Sequence, residues 1–146
     1  MIVDEPRSQA SHRFYFACLK NAFDNLPETI SHLFTDPEDL RHYALIETGN
    51  YTDHPIKCAT KDEAMRWVSR LMRDPQNIYC RFFVNDDTIV RREPKSQSTK
   101  AMGKQAFEKS KADVLELCSI LTGIDVAALK KEATESTKPN ERGSHV

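Results

Sequence analysis

Glycine is scarce in this chain, four residues among 146, and no two of them cluster into a loop that could wrap a phosphate. GxSxG, HExxH and DxDxDG are absent as well, so nucleotide-loop, serine-hydrolase, zinc-protease and calcium-loop chemistries have no motif to rest on. No apolar run approaches the roughly 20 residues that a membrane helix needs. The opening MIVDEPRSQ has neither the basic nor the apolar region of an export signal, and a cytoplasmic protein is expected. The four cysteines (Cys18, Cys58, Cys80, Cys118) form no CxxC pair, and the five histidines stand at no ligand spacing relative to them. Reduced packing thiols are therefore expected, with no metal and no cofactor.

What is present is enough for one core. A chain of this length buries roughly 68–70% of its unfolded surface, and the alternation of helical and strand-like segments predicts an α+β fold. The expectation is a helix-rich single domain over residues 1–134, with a small antiparallel sheet of two or three strands. A disordered tail over 135–146 should follow, since that stretch has no apolar residue until Val146.

Along the chain, Met1–Arg7 reads as a loose arm. From Ser8 or Ser11 to Asn25, Tyr15, Leu19, Ala22, Phe23 and Leu26 recur at helical spacing, leaving Phe14, Phe16 and Cys18 off the stripe. Asp36-Pro37 opens a helix that Gly49 closes. Asn50–Asp53 reads as a polar turn before an extended Ile56–Ala59. Thr60 and Glu63 form a capping box for a helix whose buried face is Ala64, Trp67, Val68, Leu71 and Met72. Ile78–Val84 and Thr88–Arg92 predict a hairpin, and without glycine in the turn a loop of three to four residues is expected. A helix from Gly103 or Lys104 to Leu121 and a short one over Val126–Ala133 complete the series.

Charge is the main functional signal. Arg91–Lys111 holds seven basic residues against two acids, a formal +5, while the other 125 residues carry −6. Such asymmetry suggests a segment that meets polyanions. Lys100, Lys104 and Lys111 fall at steps of four and seven and would share one helix face, with Ser96, Ser98 and Thr99 as hydroxyl donors to phosphate. A solvated helix face is the competing reading. Arg7, His12 and Arg13 before Phe14-Tyr15-Phe16 form a second basic and aromatic cluster, of the kind that can stack unpaired bases. A core role for those aromatics is the alternative. The acid groups Asp36/Glu38/Asp39, Asp62/Glu63 and Asp86/Asp87 each sit in a cap or turn that accounts for them, and no catalytic residue stands out.

His12–Glu28 (HRFYFACLKNAFDNLPE), Asp39–Tyr51 (DLRHYALIETGNY) and Lys95–Cys118 (KSQSTKAMGKQAFEKSKADVLELC) together resemble a family of uncharacterised phage and prophage proteins. The resemblance implies a setting among recombination and replication genes. More distantly, Arg7, Ser8 and Arg13 are similar to the opening of the lambda NinB/Orf recombination-mediator family, which implies a homodimeric accessory that binds single-stranded DNA. The chain departs from that pattern at Ser11-His12, where the related sequence has Gln-Asn. The expected interface is Arg91, Arg92, Lys95, Lys100 and Lys104, supported by Arg7 and Arg13, on single-stranded or branched DNA. The alternatives are a module that binds a replication, recombination or defence protein, and a metal-dependent nuclease.

Overall fold

The structure is a computed structural model and describes residues 4–137, with side chains over 10–135. It is an α+β fold with a three-stranded antiparallel sheet, as the sequence predicts. By its internal contacts the chain forms two compact units, Arg41–Ser110 and the remainder on either side of it.

In the terminal unit, α1 spans Asp4–Asp24 and starts well before the expected boundary. Most of the presumed arm is helical, and Pro6 is tolerated because it falls in the first turn, where a missing N–H costs little. Tyr15, Cys18, Leu19 and Ala22 are its buried stripe. Cys18 thus belongs to the core face, three residues from Tyr15, while Phe14 and Phe16 are half-buried. The helix packs on α7 (Val126–Thr137), where Leu129 and Ala133 are buried. Asn21 Nδ2 donates to the Leu129 carbonyl at 3.3 Å. Helix α7 runs through Thr137, past the expected end at Ala133, and the rest of the expected tail, 138–146, lies outside the described residues.

A short α2 (Glu28–Ser31) precedes α3 (Pro37–Glu47). Asp36 caps α3 by accepting the Asp39 amide at 2.8 Å. Its C-terminus closes on Gly49, whose φ is +86°. There Asn50 N–H reaches the Leu45 carbonyl and Gly49 N–H the Ile46 carbonyl, the paired bonds of a left-handed cap.

The Arg41–Ser110 unit is built on the sheet, ordered β1–β3–β2: β1 Tyr51–Lys57, β2 Arg81–Asn85 and β3 Thr88–Pro94. The presumed turn at Asn50–Asp53 is mostly strand. The long central β3 pairs with all of β1, Tyr51 opposite Pro94 and Lys57 opposite Thr88, so polar residues there alternate onto a solvated face. Cys58 N–H donates to Asp87 O, and Asn50 O accepts from Lys95 N–H. Even-numbered residues of β1 therefore turn their backbone groups to β3, and odd-numbered ones face the open edge. Pro55 is odd-numbered, so its missing donor breaks no ladder bond and blunts the edge.

Asn85 pairs with Thr88, so the hairpin loop has two residues rather than the expected three or four. Asp86 supplies the positive φ, +55°, which a short polar side chain tolerates without glycine.

Against the sheet lies α4 (Lys61–Arg73), which contacts β2 and β3. Thr60 Oγ1 accepts the Glu63 amide at 3.1 Å, and Glu63 Oε1 reaches the Ala59 amide at 3.0 Å, one residue earlier than a strict capping box. Of the expected buried face only Ala64 is fully buried, while Trp67 and Met72 are exposed. A 3-10 turn at Pro75–Asn77 leads on to β2. After β3 come α5 (Thr99–Met102) and α6 (Lys104–Thr122).

Candidate nucleic-acid interface

The basic segment does not form one surface. Successive strand residues point to opposite faces, so Arg91 and Arg92 part company at once. Arg92 lies on the face shared by Tyr51, Asp53 and Phe83. Its guanidinium donates to both Asp53 carboxylate oxygens, at 2.8 and 3.0 Å, and sits 4.0 Å from the Tyr51 ring centroid and 4.8 Å from that of Phe83. The Asp53 carboxyl is held below its ordinary pKa chiefly by this hydrogen bond, and the arginine is raised in return. With its fork used by a carboxylate and its plane by two rings, Arg92 is a strut of the sheet. Arg91, on the other face, donates to Cys80 Sγ at 3.4 Å and lies 3.6 Å from Glu93. Both arginines named for phosphate contact are thus already engaged within the sheet.

The lysines differ. Lys95, Lys100 and Lys104 are exposed, and none meets a carboxylate among the described residues. The loop that presents them is held from within. Gln97, only 9% exposed, donates through Nε2 to Ser110 Oγ at 2.8 Å and accepts from Arg41 at 2.9 Å. Arg41 also lies 3.3 Å from His42 Nε2, and the His42 ring stacks on Tyr79 at 3.9 Å. Ser98 is engaged too, capping α5 by accepting the Ala101 amide, which uses a lone pair and leaves its O–H as a donor. The segment between Lys95 and Lys100 is thus fixed by buried polar groups.

Lys100 and Lys104 do not share a helix face. Gly103, at φ +83° and ψ 157°, breaks the run in a region open essentially to glycine alone. It places Lys100 in the last turn of α5 and Lys104 at the first position of α6. Four peptide steps of 3.8 Å limit the separation of their Cα atoms to about 15 Å. Lys111, the third member of the expected row, is buried in the terminal unit, with Nζ donating to Ser11 Oγ at 3.3 Å and 5.9 Å from the Tyr15 ring. Arg13 is exposed in that same unit, and the Arg7 side chain lies outside the described residues.

Lys104 contravenes a local rule. The first turn of a helix exposes unpaired amides and the positive end of its dipole, which favours acids. The first turn of α6 has no acid and begins with a lysine. Local rules are broken most often where function requires it.

Charge also divides between the units. Arg41–Ser110 holds thirteen Lys or Arg against nine Asp or Glu, a formal +4, and the rest of the chain carries −5. No family model, curated protein or solved structure matches the chain. The site therefore stands on its own geometry. The acid groups found in the sequence do not converge: among the described residues no set of three or more His, Cys, Asp or Glu could hold a metal ion. Asp36 caps α3, Asp39 accepts from Thr35, and Asp87 pairs with Lys57 at 2.9 Å. No helix among the described residues is long and apolar enough to cross a membrane.

A second basic row lies outside the stretch of highest charge density. Arg66, Arg70 and Arg73 are exposed on α4. The mixed signs of KDEAMRWVSRLMR hide them in a net-charge count, although their i, i+4, i+7 spacing was legible.

Proposed function

We propose that this chain is a phage-type cytoplasmic accessory protein of DNA recombination or replication, which binds single-stranded or branched DNA without cutting it. Contact is made through the basic Arg41–Ser110 unit. The observation that carries this reading is Lys104 at the amide end of α6, with Lys100 and Lys95 exposed earlier in the same segment and none of the three countered by a carboxylate among the described residues. Cations beside free amides are the groups that hold a phosphate, by charge and by geometry respectively. Arg91 and Arg92 shape the support instead of touching the ligand. Arg13 adds a contact of its own from the terminal unit, and the distant resemblance to the lambda recombination-mediator family suggests a homodimer.

Labelled single-stranded, duplex and forked oligonucleotides, titrated by fluorescence anisotropy, test this. Lys100→Glu with Lys104→Glu should abolish binding while the circular dichroism spectrum is unchanged. Equal affinity in that double variant would reject the assignment.

A protein-binding role is favoured by one different feature, the exposed Met65, Met72 and Ile78 of the same unit. A partner held through them would remain bound after nuclease treatment, whereas a DNA-bridged one would be released.

A further inference from the structure

The outward face of α4 carries a second pattern. At 3.6 residues per turn, Arg66, Arg70 and Arg73 fall within an arc of about 60°, pointing away from Ala64, which is fully buried. None of the three meets a carboxylate among the described residues. From Arg66 to Arg73 the helix rises roughly 10 Å at 1.5 Å per residue, more than the ~7 Å that three consecutive phosphates span at the duplex rise of ~3.4 Å, so the row suits a strand drawn out beyond the duplex spacing.

Beside the arginines stands Trp67, 47% exposed, with the Arg70 guanidinium 5.1 Å from its ring. The indole also lines an open, mainly apolar cleft of about 220 Å³ with Ile56, Lys57, Cys58, Glu63, Leu71 and Ile89. About half of the indole is thus open to solvent, within reach of a ligand. An exposed aromatic flanked by three uncountered arginines suits a ligand that offers both phosphates and bare base faces. A single strand offers both, whereas a duplex hides its bases and would leave the indole without a role.

We propose that α4 is a docking strip for single-stranded nucleic acid, with Arg66, Arg70 and Arg73 on consecutive phosphates and a base stacked on Trp67. The proposal rests on the nucleic-acid reading above but uses none of its residues. On binding, Arg70 exchanges its place over the indole for a phosphate, and the base takes the ring.

Trp67 is the one tryptophan in the sequence, so intrinsic fluorescence reports on this strip alone. The full chain is titrated with a 15-nucleotide oligothymidylate, following tryptophan emission and, with a labelled copy, anisotropy. The expected result is quenching of Trp67 with the same midpoint as the anisotropy change. In the triple variant R66Q/R70Q/R73Q quenching should disappear, affinity should fall at least tenfold, and the log–log salt slope should shrink by about 2, three contacts at ~0.7 each. R70Q alone, which alters one exposed side chain, should show the same trend at about a third of the slope change.

Anisotropy without quenching, and with the triple variant binding like wild type, overturns the α4 strip and leaves the nucleic-acid reading standing. No anisotropy change at low salt removes both. A 15-base-pair duplex that quenches as strongly as the single strand overturns the stacking. So does a blue shift caused by phosphatidylserine vesicles but not by the oligonucleotide, which would assign this face to a membrane surface.

Discussion

Lys104→Gln should make the protein more stable and a weaker binder. The lysine is the first residue of a 19-residue helix with no acid in its first turn. A charge of the wrong sign at that end costs about 0.3–1 kcal/mol at an exposed site. Replacing it by the neutral amide recovers that amount less the ~0.2 kcal/mol that a lysine draws from Glu108 at i+4. For a chain near 150 residues each kcal/mol is worth about 2–4 °C in Tm, so a rise of up to about 3 °C is expected in differential scanning calorimetry without DNA. The gain should fade toward 1 M salt, where the screening length drops to about 3 Å. Lys104→Glu is the less clean substitution, because the new carboxylate would face Glu108 one turn on and lose about 0.2–0.5 kcal/mol to like-charge repulsion. In the same Lys104→Gln protein, the salt slope for single-stranded DNA should shrink by about 0.7, one phosphate contact. A Tm that falls, or a Tm that rises while binding is untouched, would show that Lys104 is ordinary solvated surface.

Gln97→Ala removes the buried amide that joins Arg41 to Ser110. It should cost about 1–3 kcal/mol, read as a lower urea midpoint at unchanged m-value; a midpoint like wild type would mean that the loop is held some other way. Burial pushes the Cys18 thiol up to about 11 and that of Cys118 up to about 12. A thiol reagent should therefore label Cys58 and Cys80 in the native protein and the other two only on unfolding. Because those raised pKa values keep both thiols neutral in the fold while unfolded-chain thiols ionise from about 9, stability should be full below pH 9 and fall as pH rises toward 11–12. Asp53 behaves in the opposite sense. Its lowered pKa makes its contribution present above the ordinary carboxylate value of 3.8 and lost as pH falls through the folded value, and Asp53→Asn should flatten the acid limb of the stability profile.

Several parts of this fold were legible because the signal is local. Asp36-Pro37 and Gly49 bound α3 through capping geometry, and Thr60 with Glu63 places the start of α4. The two-residue turn was missed because Asp86 takes a positive φ that glycine usually supplies, and β1 was missed at Tyr51–Asp53 because its polar residues become a strand only beside β3. The site shows the same division. Exposed lysines in a polar loop could be read from composition. The neutralisation of Arg92 could not, since Asp53 lies 39 residues away and meets it only through strand register. Lys111 was misplaced for a related reason: it keeps the face of Lys104 two turns further along α6, but it is buried there by a contact with Ser11, 100 residues away, that spacing cannot show.

The most direct measurement is the affinity of the wild-type chain for a labelled single strand between 50 and 200 mM salt. Three lysine contacts alone give a log–log slope near −2 at ~0.7 per contact, and engagement of the α4 arginines brings it near −4. Binding that is absent at 50 mM, or that does not weaken with salt, contradicts an interface made of exposed cations and phosphates.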